Sequence, residues 1–225
     1  MIQCCGSKIM KVDMPILKVW LVSLSFIAGA LNVCAIRFFA IPVTHHTGNM
    51  SQLAVTFSNE NIHGLLRTMS AIGGFFLGAF IAGLLFHQRN FTLKKRYGLV
   101  FMCCALCIAI TIIPVISIFI KLVLLALTAG LQNGMFMSYN NAIVRSTHVT
   151  GYLTDAAFGL GMAVRGNKTK LHFSFFYLIS VLAFLLGGIL FAFIPETPAV
   201  PILAGLYFAT GLFYFFIRRY AERKS

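Results

Sequence analysis

Thr44-His45-His46-Thr47-Gly48-Asn49-Met50-Ser51 and Thr147-His148-Val149-Thr150-Gly151-Tyr152-Leu153-Thr154 are two versions of one phrase. Each follows a long apolar run. Each also opens a shorter, mostly apolar stretch, residues 49–58 in the first case and 152–164 in the second. Two further echoes flank them in the same order. Ala28-Gly29-Ala30-Leu31-Asn32 returns as Ala129-Gly130-Leu131-Gln132-Asn133, and Phe75-Phe76-Leu77-Gly78-Ala79 returns as Phe184-Leu185-Leu186-Gly187-Gly188. The offsets are 101, 103 and 109 residues. Three matches in register predict a duplicated chain, 1–113 and 114–225, within one membrane domain.

Composition fixes the medium. Of 225 residues, 59% are hydrophobic and 10% charged, and the mean hydropathy is +0.89. A soluble domain is about half apolar and about a quarter charged, so a soluble fold is excluded, as is a disordered tail. Six apolar runs, near 19–40, 65–87, 97–113, 117–139, 171–194 and 198–217, suit six crossings. They are continuous rather than alternating, which excludes a barrel and leaves helices to satisfy the backbone in lipid. The first run follows basic residues as a signal peptide would. It exceeds the length of one and lacks a small-residue cleavage site, so it reads as an uncleaved helix.

The net charge of +13 is a topology signal rather than a nucleic-acid footprint. With both termini cytoplasmic, fifteen of the 18 basic residues fall on one side. Arg37, Arg67 and Lys121 fall near the outer helix ends, where long stems snorkel to headgroups. Arg37 reads as such an anchor first and as an anion ligand second. Three crossings per half turn the second copy over. The expected fold is therefore all-α, with six transmembrane helices as two inverted three-helix repeats, each carrying a broken or half-helix motif.

In this plan each threonine-glycine pair starts a half-helix, the hydroxyl capping an orphan amide and the glycine allowing a sharp entry. Two helix N-termini pointed at the midplane favour an anion or the electronegative atoms of a small polar solute. The alternative is that these residues only cap helices in a tight bundle. The candidate binding residues are Thr44, His45, Thr47, Gly48 and Asn49 in the first copy, and Thr147, His148, Thr150, Gly151 and Asp155 in the second. Asn32 and Asn133 recur in the first helix of each half. Histidine titrates near neutral pH and suits substrate contact or proton relay; it also suits a hydrogen bond to a broken-helix carbonyl. Asp155 stands inside an apolar half-helix, where a carboxylate is costly, in what would be its second turn. Its counterpart is Gln52. Asn32 and Asn133 serve helix–helix bonding or the solute path. The glycines at 73, 74, 78, 83, 187 and 188 suit close helix packing, with a homodimer face as a further possibility. The phenylalanines are most simply lipid-facing bulk. Cys104 and Cys107 form a C-x-x-C without nearby charge, which supports neither zinc nor redox use.

Taken together, Thr-His-x-Thr-Gly-Asn after the first helix, Ala-Gly-x-x-Asn-Gly at 129–134 and Thr-His-Val-Thr-Gly-x-Leu-Thr-Asp at 147–155 resemble the YoaK-type family of small bacterial inner-membrane proteins of unknown function. The resemblance covers nearly the whole chain. It implies a multi-pass protein of the bacterial inner membrane and brings no substrate. One departure is Leu31-Asn32-Val33, where the family pattern leads one to expect an acidic residue, which tells against an acidic site there.

The expected function is a transporter or channel for a small polar or anionic solute, working in a lipid bilayer, with no catalytic residues, cofactor or nucleic-acid partner. One alternative is a structural or partner-regulating membrane protein without transport activity. Another is an intramembrane metal-dependent enzyme with His45, His46, His148 and Asp155 as ligands.

Overall fold

The computed structural model describes residues 15–86, 93–135, 137–139 and 142–224. Among them the chain forms eight helices and one short ribbon: α1 Pro15–Phe39, α2 His46–Ser58, α3 Ile62–Leu85, α4 Arg96–Ile110, α5 Ile118–Gly134, β1 Met137–Tyr139, β2 Ala142–Val144, α6 Val149–Val164, α7 Leu171–Phe193 and α8 Glu196–Lys224. Four of these, α1, α3, α7 and α8, are long and apolar enough to cross a membrane. The shorter apolar helices α4 and α5 have 15 and 17 residues. At about 1.5 Å per residue they reach only about 22 to 26 Å, against about 30 Å of hydrocarbon.

The fifth helix departs from the expected run. It ends at Gly134, and the chain turns back as an antiparallel pair with Ser138 opposite Ile143. Aromatic and β-branched residues here suit a pleated segment, so the described fold is helical with one small ribbon. Asn140 and Asn141, polar residues that the sequence places shortly before the second motif, lie outside the described residues.

A helical fold of this kind keeps its apolar surface on the outside. On α7, Phe175, Ile179, Leu182, Leu186 and Phe193 are exposed at helical spacing, and Leu66, Met69, Phe76, Phe80 and Leu84 do the same on α3. Stripes this long have no place in water and suit a membrane. The core gathers around α1, where Leu17, Trp20, Leu21, Leu24 and Leu31 are buried, and around Leu122, Leu125, Ala126 and Ala129 of α5. Trp20 sits against Phe101 and Tyr214 and donates from Nε1 to the Thr210 carbonyl at 3.2 Å. Phe101 is wholly buried, so not every phenylalanine faces outward.

The long helices of each half find their main packing partners in the other. α3 packs on α5 as α1 packs on α7, α4 packs on α8, and α2 and α6 lie on α3 and α7. Interchanging α1–α4 with α5–α8 returns the same set of pairs. The crossings repeat in atomic detail. A Cβ added to Gly29 would overlap the Phe184 carbonyl, and one added to Gly130 would overlap that of Phe75. In the same way Gly187 faces the Phe26 carbonyl and Gly78 that of Leu127. The first echo of each copy thus lies on the last echo of the other, and only glycine lets the backbones come so close. Gly74 and Gly188 also pack, whereas Gly73 and Gly83 look onto open space.

Candidate functional site

The two half-helices start at the histidines rather than at Thr47 and Thr150. His45 caps α2 with φ −118°, ψ 77°, and His148 caps α6 with φ −98°, ψ 69°; neither side chain bonds an amide of its helix. The expected threonine caps are therefore replaced by bare N-termini, whose first amides have no intrahelical acceptor. The far ends fall where the sequence puts them, at Ser58 and Val164.

The threonine ahead of each histidine is buried and held by the asparagine of the preceding long helix. Asn32 Oδ1 accepts from the amides of Val43 at 3.0 Å and Thr44 at 3.1 Å. Asn133 Oδ1 accepts from Thr147 Oγ1 at 2.7 Å. Both asparagines thus spend their carbonyl oxygens on bracing the break. The Thr44 hydroxyl is buried with no hydrogen-bond partner among the described residues. Asn49 is buried and donates to the Pro42 carbonyl at 2.7 Å, a further strut. His46 bonds the Val43 carbonyl at 3.1 Å and lies 4.2 Å from the Phe75 ring, ring centre to ring centre.

His45, Thr47, Gly48, His148, Thr150 and Asp155 are exposed, and Gly151 is half-buried. His45 stacks on Phe184, centroids 5.9 Å apart and planes 18° apart. The His148 ring occupies the space a side chain on Gly151 would need. His148 feels the charges of His45, Arg145 and Asp155, so the two motif histidines, from opposite halves of the sequence, share one neighbourhood. Asp155 falls in the second turn of α6, as expected. Among the described residues no three His, Cys, Asp or Glu side chains are placed to hold a metal ion.

Several participants have partners that a reading of the sequence does not show. Phe75 and Phe184 belong to an echo that reads as packing, yet their rings flank the histidines while their carbonyls lie on the crossing glycines. Gln132 is buried, donating to the Leu24 carbonyl at 2.7 Å and Ser146 Oγ at 2.9 Å and accepting from Tyr207 at 2.6 Å; it ties α5, α1, α8 and the approach to the second motif together. Arg37 makes bonds that a reading of the sequence does not show. Its Nη1 donates to the carbonyls of Phe191 at 2.8 Å and Ile194 at 2.6 Å, so it caps the negative end of α7. Arg67 lines a cavity beside α2.

A family model described as "Protein of unknown function (DUF1275)" matches residues 20–217. No curated protein and no solved structure matches the chain.

Proposed function

The chain belongs to this family, and from that premise we propose that it is a membrane carrier or channel for a small polar or anionic solute. In this reading it crosses six times as two inverted repeats, with both termini in the cytoplasm of a bacterium and the membrane the inner one. The YoaK-type resemblance of the motifs is its narrower placement in the family. The interchange of helix pairs supports the repeat. The pairing of α3 with α5 as of α7 with α1 is what a two-fold relation between the halves would give. Three crossings per half would lay its axis in the plane of the membrane. The clustering of lysine and arginine supports the orientation.

One observation carries the reading. Two half-helices, one from each half, bring uncapped N-termini and the exposed rings of His45 and His148 within electrostatic reach. Irregular backbone at membrane depth is stable only inside protein or along a wet path. Exposed polar residues follow in both copies, Thr47, Ser51 and Gln52 on α2 and Thr150, Thr154 and Asp155 on α6, beside exposed apolar ones such as Val55 and Phe158. Hydroxyl, amide and carboxylate groups there replace part of the hydration shell of a solute. The positive ends of the two helices favour negative charge.

Proteoliposomes loaded with acetate, phosphate, sulfate or glycerol give the test. Protein-dependent flux of at least one is expected. The His45→Ala, His148→Ala double variant is expected to cut it at least about tenfold, the scale of losing one or two polar contacts to a desolvated solute. Unchanged flux in the double variant takes these residues out of the mechanism, and no flux of any of the four overturns the reading for these solutes.

A further inference from the structure

Beside α2 lies a cavity of about 470 Å³, bounded by the end of α1, the 40–42 segment, α2 and the start of α3. Its polar wall is Gly48, Gln52 and Thr56 of α2, with Asn61, Arg67 and Thr68 at and beyond the start of α3. Among these lining residues the only formal charge is that of Arg67, and none is acidic. Glu60, in the turn, does not line it. Arg67 is half-buried, and its Nε is shut away from solvent with no hydrogen-bond partner among the described residues. A buried guanidinium donor without an acceptor is costly, and its natural complement is an oxygen anion. Gly48 lies in the first turn of α2, and a Cβ there would meet nothing within 4 Å. The positive end of the helix is therefore open to the same space.

The matching place in the second half shows that the fold does not require this groove. Offsets of 103 and 109 residues carry Asn49 to Tyr152, Arg67 to Phe176 and Thr68 to Tyr177. There the space is filled: Tyr152 and Tyr177 stack with centroids 5.0 Å apart, and Phe176 lies 5.8 Å from Tyr177. One groove is aromatic and closed, the other polar, open and basic.

We propose that the cavity between α2 and α3 is a binding site for a small oxoanion or carboxylate, with Arg67 as its charged ligand. The planar fork of a guanidinium matches two oxygens of a carboxylate, sulfate or phosphate group. The volume suits a small molecule. The site runs along α2 from Arg67 to the helix start beside His45. In this it deepens the transport reading, and rests on it, by naming the substrate as an oxygen anion that enters from the first half. The same phosphate chemistry is offered by a free anion and by a lipid headgroup.

Protein in nanodiscs of zwitterionic phosphatidylcholine is titrated with sodium sulfate and sodium acetate at constant ionic strength, and binding is read by calorimetry and by melting temperature. Saturable binding of at least one anion is expected. Arg67→Gln is expected to weaken it at least about tenfold, the scale of one charge-assisted bond, and Arg67→Lys to retain part. Gly48→Leu keeps the charge but fills the cavity, and is also expected to weaken binding. Melting without anion reports whether each variant folds. Should neither anion bind, discs containing anionic phosphatidylglycerol supply the headgroup; stabilisation there that is lost in Arg67→Gln supports the site with lipid as its occupant. Binding undiminished in Arg67→Gln, or no effect of sulfate, acetate or phosphatidylglycerol, overturns the proposal. Flux that needs His45 and His148 but is indifferent to Arg67→Gln would remove this site and leave transport standing. Binding at Arg67 without flux would do the reverse.

Discussion

The groove along α2 and the groove along α6 are built on one backbone plan and filled in opposite ways. Both half-helices start at a histidine with nearly the same dihedral angles and lie on the following long helix. On the first, Asn49 and Thr68 are small enough to leave an open cavity that Arg67 enters. On the second, Tyr152, Ala156 and Tyr177 are buried together, and the Tyr152 hydroxyl accepts from the Arg145 amide at 2.9 Å. The motif histidines diverge as well. His45 leans on Phe184 of the other half, while His148 folds over Gly151 of its own helix. Backbone packing is alike at the two crossings because a glycine there tolerates no substitute. The space beside each crossing is not held in this way, and there one side keeps an open cavity and the other a plug.

The strongest test of the shared plan is at the crossings. Gly29→Val and Gly130→Val each drive a side chain into a backbone carbonyl, and each is expected to cost about 3 kcal/mol or more, the upper range for overpacking. Thermal unfolding followed by the fluorescence of Trp20, the one tryptophan, measures this. A large loss for one glycine and none for its counterpart would break the equivalence of the halves.

A smaller effect probes the plug. Tyr177→Thr gives α7 the residue that α3 carries at Thr68, and removal of a buried, stacked ring is expected to cost about 2–4 kcal/mol. The corresponding Thr68→Ala touches only a local bond from its hydroxyl to the Gly64 carbonyl at 3.0 Å and is expected to cost less than about 1 kcal/mol. Equal losses at the two positions would mean that the grooves are packed alike.

The smallest difference lies at the helix starts. Gly151→Ala must displace the His148 ring, whereas Gly48→Ala points into empty space. The former is expected to cost about 1 kcal/mol for the lost contact, and the latter to be neutral or slightly stabilising, since alanine favours the helix. Matching melting temperatures for the two variants would put both histidines in the same pose.

Residues 49–58 and 152–164 read as short helices because they are apolar, too short to span and preceded by a break, and they end at Ser58 and Val164. Their starts do not follow from composition, because a threonine-glycine pair is equally good just inside a helix and at its cap. Asn32 and Asn133 are visible as recurrent polar residues, but their work as struts depends on a loop returning eleven to fourteen residues later. Arg37 and Arg67 look alike in sequence, two basic residues near outer helix ends. Their difference lies in what packs beside them, the C-terminus of α7 for one and a polar cavity for the other.

What the sequence determined alone is the membrane-compatible apolar composition, the helical class, the three echoes in register and the places where the helices break. These depend on hydropathy, spacing and local echo, all of which are properties of neighbours along the chain. What tertiary structure decided is which glycine meets which carbonyl, which rings flank the histidines, and that one groove stands open while its twin is filled. Those outcomes depend on contacts between residues about a hundred positions apart, where a change of side-chain volume on one helix is felt only on another.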